Sequence, residues 1–252
     1  MRIGLIGAGN MATALARGLG EPALVSDIDR SRAEALAKEL GGEALDSNAE
    51  VAERTDAVVL CHKPAQLERV ADEIRDKAKV VVSILGGVPV AKVEATYPDI
   101  PVYRLMPSIP VEVRQGVVCY APGRLASKGP EAELRELFGR LGSLVEVPEH
   151  LIDAATAVMS CAPAFYALVV EALVDGGVRQ GLQTDVAARM AVQTMAGTAT
   201  VLEQGGLDTR ALRARVASPG GMTARGLAAL EAGGVRAAFD AAVAAAVGNG
   251  TR

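Results

Sequence analysis

The chain has 252 residues, half of them hydrophobic and 22% charged, with a formal net charge of −4 from 26 basic and 30 acidic side chains. That is material for one large or two modest domains, and the acidic balance excludes a general nucleic-acid surface, which needs clustered positive charge. Two histidines (His62, His150) and three widely spaced cysteines (Cys61, Cys119, Cys161) fit no zinc finger or ribbon, leave little room for His-based catalysis, and read as reduced thiols of a cytoplasmic protein.

Residues 3–6 form a short apolar run that is broken at once by Gly7-Ala8-Gly9-Asn10, so they read as a first strand and not as a leader segment. Further strands are expected at 24–26, 57–61, 80–84, 102–105 and 117–120. Helices are expected at 10–19, 30–40, 64–77, 89–96 and 130–141. Alternating β and α units imply a doubly wound, mostly parallel sheet with helices on both faces. The runs Val58-Val59-Leu60 and Val80-Val81-Val82 lack polar alternation, as strands covered on both sides should.

After Val145-Glu146-Val147-Pro148 strand signals stop and helices follow, at about 149–158, 163–179, 185–204, 208–217 and 223–247, the last broken at Gly233-Gly234. The expected domains are therefore 1–148, α/β and dinucleotide-binding, and 149–252, all-α. Residues 164–174 carry one charge, Glu171, and residues 190–202 carry none. Helices this apolar need partners on several sides, which points to a subunit interface and a homo-oligomer. No run reaches about 18 consecutive apolar residues, so no membrane partner is expected.

Gly7-Ala8-Gly9-Asn10-Met11-Ala12 fits the G-x-G-x-x-G/A pattern directly after a strand and at the start of a helix. The first glycine permits the tight turn, the second lets backbone approach a pyrophosphate, and the third small residue lets helix pack on strand. The helix N-terminus then offers free N–H groups to the phosphates. Asp27, at the end of the second strand, is placed to accept from the adenosine ribose hydroxyls, which favours NADH over NADPH. Arg30 and Arg32 follow and are able to bind a 2′-phosphate, so both cofactors stay open. The loops at His62-Lys63-Pro64, Leu85-Gly86-Gly87 and Met106-Pro107-Ser108-Ile109-Pro110 end successive strands, where ligands of open α/β sheets bind. Ser218-Pro219-Gly220-Gly221-Met222-Thr223 is a turn between helices whose consecutive N–H groups suit a carboxylate. Read as structure alone, it is an interhelical turn with Ser and Thr caps.

Taken together, these residues resemble the pyrroline-5-carboxylate reductase family over essentially the whole chain. The resemblance rests on Ile6-Gly7-Ala8-Gly9-Asn10-Met11, Lys63-Pro64, residues 83–88, Arg104-Leu105-Met106-Pro107, Pro163-Ala164 and residues 216–223, followed by Leu227, Leu230 and Glu231. It implies a Rossmann domain, a C-terminal helical domain that interlocks with a second subunit in dimers that can build decamers, and NAD(P)H-dependent reduction of a cyclic imine carboxylate to L-proline. By position it implies that backbone at Gly220, Gly221, Met222 and Thr223 binds the carboxylate. The Thr223 hydroxyl would then lie near the ring nitrogen, with Ser218 supporting the turn. Gly7, Ala8, Gly9, Asn10, Met11, Asp27, Arg30, Lys63, Pro64, Gly86 and Met106 are the expected cofactor residues.

The chemistry agrees. Hydride addition to an imine carbon needs a carboxylate clamp and at most a mild proton source, and the site is poor in His and Lys. A related 3-hydroxyacid dehydrogenase would use a lysine in the helical domain, and none occurs after residue 148. The chain departs from the family's Met-Pro-Asn-Thr-Pro at Ser108-Ile109, and from its Ser-Gly-Ser-x-Pro-Ala-Tyr at Ser160-Cys161-Ala162-Pro163-Ala164-Phe165. These departures leave two alternatives: a paralogue acting on another cyclic imine, and a non-catalytic nucleotide-binding regulator.

Overall fold

The structure is a computed structural model and describes residues 1–248. Its strands are β1 (Ile3–Ile6), β2 (Leu24–Ser26), β3 (Glu43–Ala44), β4 (Ala57–Leu60), β5 (Val81–Ser83), β6 (Val102–Pro107), β7 (Gly116–Pro122) and β8 (Gly142–Glu146). They form one sheet in the order β3-β2-β1-β4-β5-β6-β7-β8. The first six run parallel; β7 pairs antiparallel with β6, and β8 runs parallel to β7. The order 3-2-1-4-5-6 is that of a Rossmann sheet, with its crossover crevice beyond the carboxyl ends of β1 and β4.

The helices of this part are α1 (Asn10–Leu19), α2 (Arg30–Leu40), α3 (Asn48–Arg54), α4 (Leu67–Ile74), α5 (Val90–Thr96), α6 (Glu131–Gly139) and α7 (Ile152–Thr156). Alternate residues of one strand serve opposite faces of the sheet. Val59 and Val82 join Leu15, Leu36 and Phe138 from α1, α2 and α6, whereas Val58, Leu60 and Val81 join Val51, Ile74 and Val93 from α3, α4 and α5. Burying each such side chain is worth roughly 1.5–3 kcal/mol, so the unbroken valine runs need helices on both sides.

Three elements were not legible. Strand β3 has two residues, α3 has seven, and β8 is a half-exposed edge strand that reads as loop in sequence. Helix α3 is too short for a periodicity to show. It is held by its Ser47 cap and by ion pairs of Arg54 with Glu43 and Glu50. The helix expected at 64–77 divides into a 3-10 turn at Pro64–Gln66 and α4. The one expected at 149–158 divides into a 3-10 turn at Glu149–Leu151, α7 and a π-helical turn at Ala157–Cys161.

By its internal contacts the chain parts into Met1–Pro163 and Ala164–Arg252. The helices that complete the chain are α8 (Ala162–Arg179), α9 (Thr184–Gln204), α10 (Thr209–Val216), α11 (Met222–Ala232) and α12 (Val235–Val247). The expected break falls at Gly233 and Gly234, where Gly234 is left-handed at φ 75°. Among the described residues of this second unit Ala187 alone is buried. Leu168, Leu173, Met190 and Val192 stand exposed along α8 and α9. The stretch Glu149–Arg179 is long and apolar enough by length and composition to cross a membrane, although it holds no run of 18 consecutive apolar residues. A count of consecutive apolar residues misses it because a few polar residues interrupt the run.

Candidate functional site

The glycine loop folds as its spacing requires. Gly7 has φ +108°, and a Cβ there would stand 2.7 Å from the Cys61 carbonyl carbon and 2.8 Å from the His62 nitrogen. Only glycine lets the end of β1 lie against the end of β4. At Gly9, by contrast, a Cβ would meet nothing within 4 Å. Gly9 is the cap residue of α1; no side chain caps that helix and no acid lies in its first turn. The helix therefore presents uncompensated N–H groups and its positive end to open space, which fits the pyrophosphate of a dinucleotide.

A cleft of about 260 Å³ lies at this crossover point, lined among others by Gly7, Gly9, Asp27, Ile28, Asn48, His62 and Lys63. A more open depression, which shares Gly9 and Arg32 with this cleft, is lined also by Ala8 and Asn10. Asp27 is half-buried and takes the Ala8 N–H on one carboxylate oxygen and the Asp29 N–H on the other. It does not cap α2; Asp29 does, accepting from the Ser31 N–H. Arg30 pairs with Glu34 and Asp46, and Arg32 lies 3.5 Å from Asp29. Both arginines are thus already faced by carboxylates, in an exposed setting where such pairs are individually weak.

Sequence reasoning did not single out Asn48. It accepts from the Ser26 hydroxyl and donates to Glu73, each at 2.6 Å, which fixes its amide at the cleft wall. The helix that carries it was itself unread, so no sequence signal marked it. His62 donates from Nδ1 to the Lys63 carbonyl at 2.9 Å, while Nε2 is buried without a partner. Burial pushes the imidazole pKa below its ordinary 6.5, so the ring is neutral at pH 7. Lys63 is exposed and Pro64 opens the 3-10 turn.

Gly86 and Met106 do not line this cleft. Gly86 is exposed after β5, and the Met106 side chain packs with Cys119, Ala121 and Ile152, leaving only its backbone for a ligand. Ser108 is also turned inward, its hydroxyl accepting the Val117 N–H at 2.9 Å. Ile109, in the same loop, is exposed.

In the second unit, Ser218, Gly220, Gly221, Met222 and Thr223 form one tight turn. Gly220 is left-handed at φ +69°, and a Cβ on Gly221 would lie 2.4 Å from the Ser218 hydroxyl. The cap residue of α11 is Gly221, and no side chain caps the helix. The interhelical turn is present, but neither Ser218 nor Thr223 serves as the cap that a purely structural reading requires. Arg225 donates to the Gly220 carbonyl at 2.6 Å and braces the turn from one side.

A family model described as pyrroline-5-carboxylate reductase dimerisation matches residues 149–251, and one described as NADP oxidoreductase, coenzyme F420-dependent, matches residues 2–87. The pyrroline-5-carboxylate reductase of Synechocystis sp. is 35% identical over 255 residues, covering 98% of this chain and 96% of that protein. The one from Mycobacterium tuberculosis is 38% identical over 278 residues, covering 97% of this chain and 94% of that protein. The crystal structure of Plasmodium falciparum pyrroline carboxylate reductase with NADP bound superposes with a TM-score of 0.87 at 27% identity, covering 98% of this chain and 95% of that one.

Proposed function

The chain belongs to the pyrroline-5-carboxylate reductase family, an oxidoreductase that uses a nicotinamide cofactor to reduce 1-pyrroline-5-carboxylate to L-proline, and we propose how its residues divide that work. The observation that carries the cofactor half is the cradle at Gly7 and Gly9, rigid on one side and open on the other. Backbone at Gly7, Ala8, Gly9, Asn10 and Met11 holds the pyrophosphate, and Asp27 receives the adenosine ribose. Lys63, Pro64, Gly86 and the Met106 backbone border the nicotinamide half. When bound, the reduced nicotinamide supplies the hydride.

The substrate half falls to the turn of Ser218, Gly220, Gly221, Met222 and Thr223. Its N–H groups take the carboxylate and fix the ring, while the Thr223 hydroxyl donates to the ring nitrogen. That nitrogen gains electron density as hydride reaches the neighbouring carbon, so a donor there acts chiefly in the transition state. Ser218 supports the turn. One proton from solvent completes the amine, and no strong base is required.

NADH is the favoured cofactor in this reading. Asp27, Asp29, Asp46 and Glu34 outnumber Arg30 and Arg32 at the end of β2, which opposes an additional phosphate. The protein acts as an oligomer, with the exposed apolar faces of α8 and α9 covered by a second copy in a dimer and not by lipid. Dimers that assemble further, and a cytoplasmic location, complete the reading.

The test is the loss of near-ultraviolet absorbance of NADH or NADPH on addition of 1-pyrroline-5-carboxylate, run beside other cyclic imines. Turnover with 1-pyrroline-5-carboxylate and formation of proline are expected. Cofactor binding without turnover of any imine would overturn the reading.

A further inference from the structure

Glu149 lies at the start of the 3-10 turn that follows β8, far in sequence from every loop of the cleft. Its Oε1 nevertheless accepts two hydrogen bonds: from Arg104 Nη1 at 2.6 Å and from the Val90 backbone N–H at 2.8 Å. Val90 opens α5, directly after the loop that contains Gly86 and Gly87; Arg104 lies in β6, two residues before Met106. Arg104 is also the register partner of Ser83, the last residue of β5. One carboxylate oxygen thus ties the first residue of the helix that follows β5 to the body of β6, three residues before that strand ends, on the side of the sheet where α/β proteins hold ligands. Eleven residues on from Glu149, the Ser160 hydroxyl reaches the Pro107 carbonyl at 3.4 Å.

Stability alone is a poor account of this pair. Arg104 is almost fully buried, with a side-chain exposure of 4%, yet its Nε and the Glu149 Oε2 are both buried without partners. An ion pair whose guanidinium is buried and whose carboxylate is part-buried at 31% exposure, with unfilled hydrogen-bonding capacity on both sides, is typically little more stabilising than a well-packed apolar pair. An apolar pair lacks the means to hold an N–H and a guanidinium at one point.

We propose that Glu149 is a positioning residue for the known reaction: through Arg104 and the Val90 N–H it sets the two loops, at 84–89 and 106–110, that border the nicotinamide and the imine. The inference rests on the functional reading above, which puts those loops beside the reacting atoms. Misplacing a reacting partner by about 1 Å costs on the order of a hundredfold in rate, so slack in these loops acts on turnover more than on binding of the remote adenosine.

The experiment compares wild type with E149Q and with the double variant R104M/E149L, which replaces the pair by apolar side chains. Melting temperature, NADH affinity by fluorescence, kcat, KM and amide hydrogen exchange over 84–90 and 104–110 are measured on each. The double variant is expected to melt within a few degrees of wild type, with kcat reduced about tenfold, faster exchange in both loops and NADH affinity changed less than kcat. E149Q, which keeps an acceptor oxygen, should show the same pattern more weakly, and it decides the matter if the double variant does not fold. Normal kcat and normal exchange in whichever variant folds would overturn the inference. A wild-type protein that turns over no imine would instead overturn the functional reading, and the exchange and affinity measurements would still report on the anchor.

Discussion

The Ala8 backbone N–H donates to Asp27 Oδ2 at 2.6 Å, so the acid at the end of β2 is a strut of the glycine loop as well as a candidate ribose acceptor. Asp27→Ser should therefore do two things. It removes the carboxylate that opposes a 2′-phosphate, raising the ratio of kcat/KM for NADPH to that for NADH. It also removes a charge-assisted bond to the loop, worth roughly 1.5–3 kcal/mol when intact, so kcat/KM for NADH should fall about tenfold or more. Steady-state kinetics with both cofactors on both proteins measure this. A wild type that already prefers NADPH tenfold would show that the carboxylates at the end of β2 do not set the preference.

Thr223 is the second residue of α11 and does not cap it, and in the proposed reading its hydroxyl donates to the ring nitrogen. Thr223→Ala is expected to lose about tenfold to a hundredfold in kcat, on the scale of removing one preorganised donor, with NADH affinity hardly changed. Thr223→Ser should keep most activity. Because no cap is lost, melting temperature should stay close to wild type in both. An alanine variant with normal kcat would remove Thr223 from the mechanism.

The exposed apolar residues of α8 and α9 set the expected assembly. Met190, at 56% exposure, and Leu168, at 64%, would be costly to leave in water over so long a stretch. Sedimentation at micromolar concentration should show no stable monomer. Substituting Met190 and Val192 together by Glu should shift the protein toward monomer and cut activity in parallel. A monomer with full activity would contradict the interface.

His62 gives a pH signature. Burial lowers its folded pKa below 6.5, so between those two values the unfolded chain binds more protons than the folded one. The stability contributed by the neutral ring is complete above about pH 6.5 and declines as pH falls toward the lowered folded value. The depressed carboxylates Asp29, Glu39 and Glu43 act only further down, as pH falls through their own lowered values. Thermal melts from pH 7.5 to 5, roughly the range over which histidines titrate, should show a decline that flattens in His62→Asn. An identical slope in the variant would show that the ring does not contribute.

The sequence by itself determined the doubly wound sheet, because strands covered on both faces must be apolar without alternation, as Val58-Val59-Leu60 and Val80-Val81-Val82 are. It determined the glycine cradle, because a turn that brings β1 against β4 at Gly7 admits no Cβ. It marked the turn at Ser218-Pro219-Gly220-Gly221, where consecutive glycines have few other uses. Only the tertiary structure decided what depends on partners distant in the chain. Asp27 reads as a ribose ligand until its bond to Ala8 is seen, and Asn48 has no signal at all until Ser26 and Glu73 are found around it. In sequence Glu149 looks like an ordinary polar residue opening the helix expected at 149–158. Its bonds to Val90 and Arg104 span 59 and 45 residues, and no local pattern of charge or hydrophobicity encodes a contact at that separation.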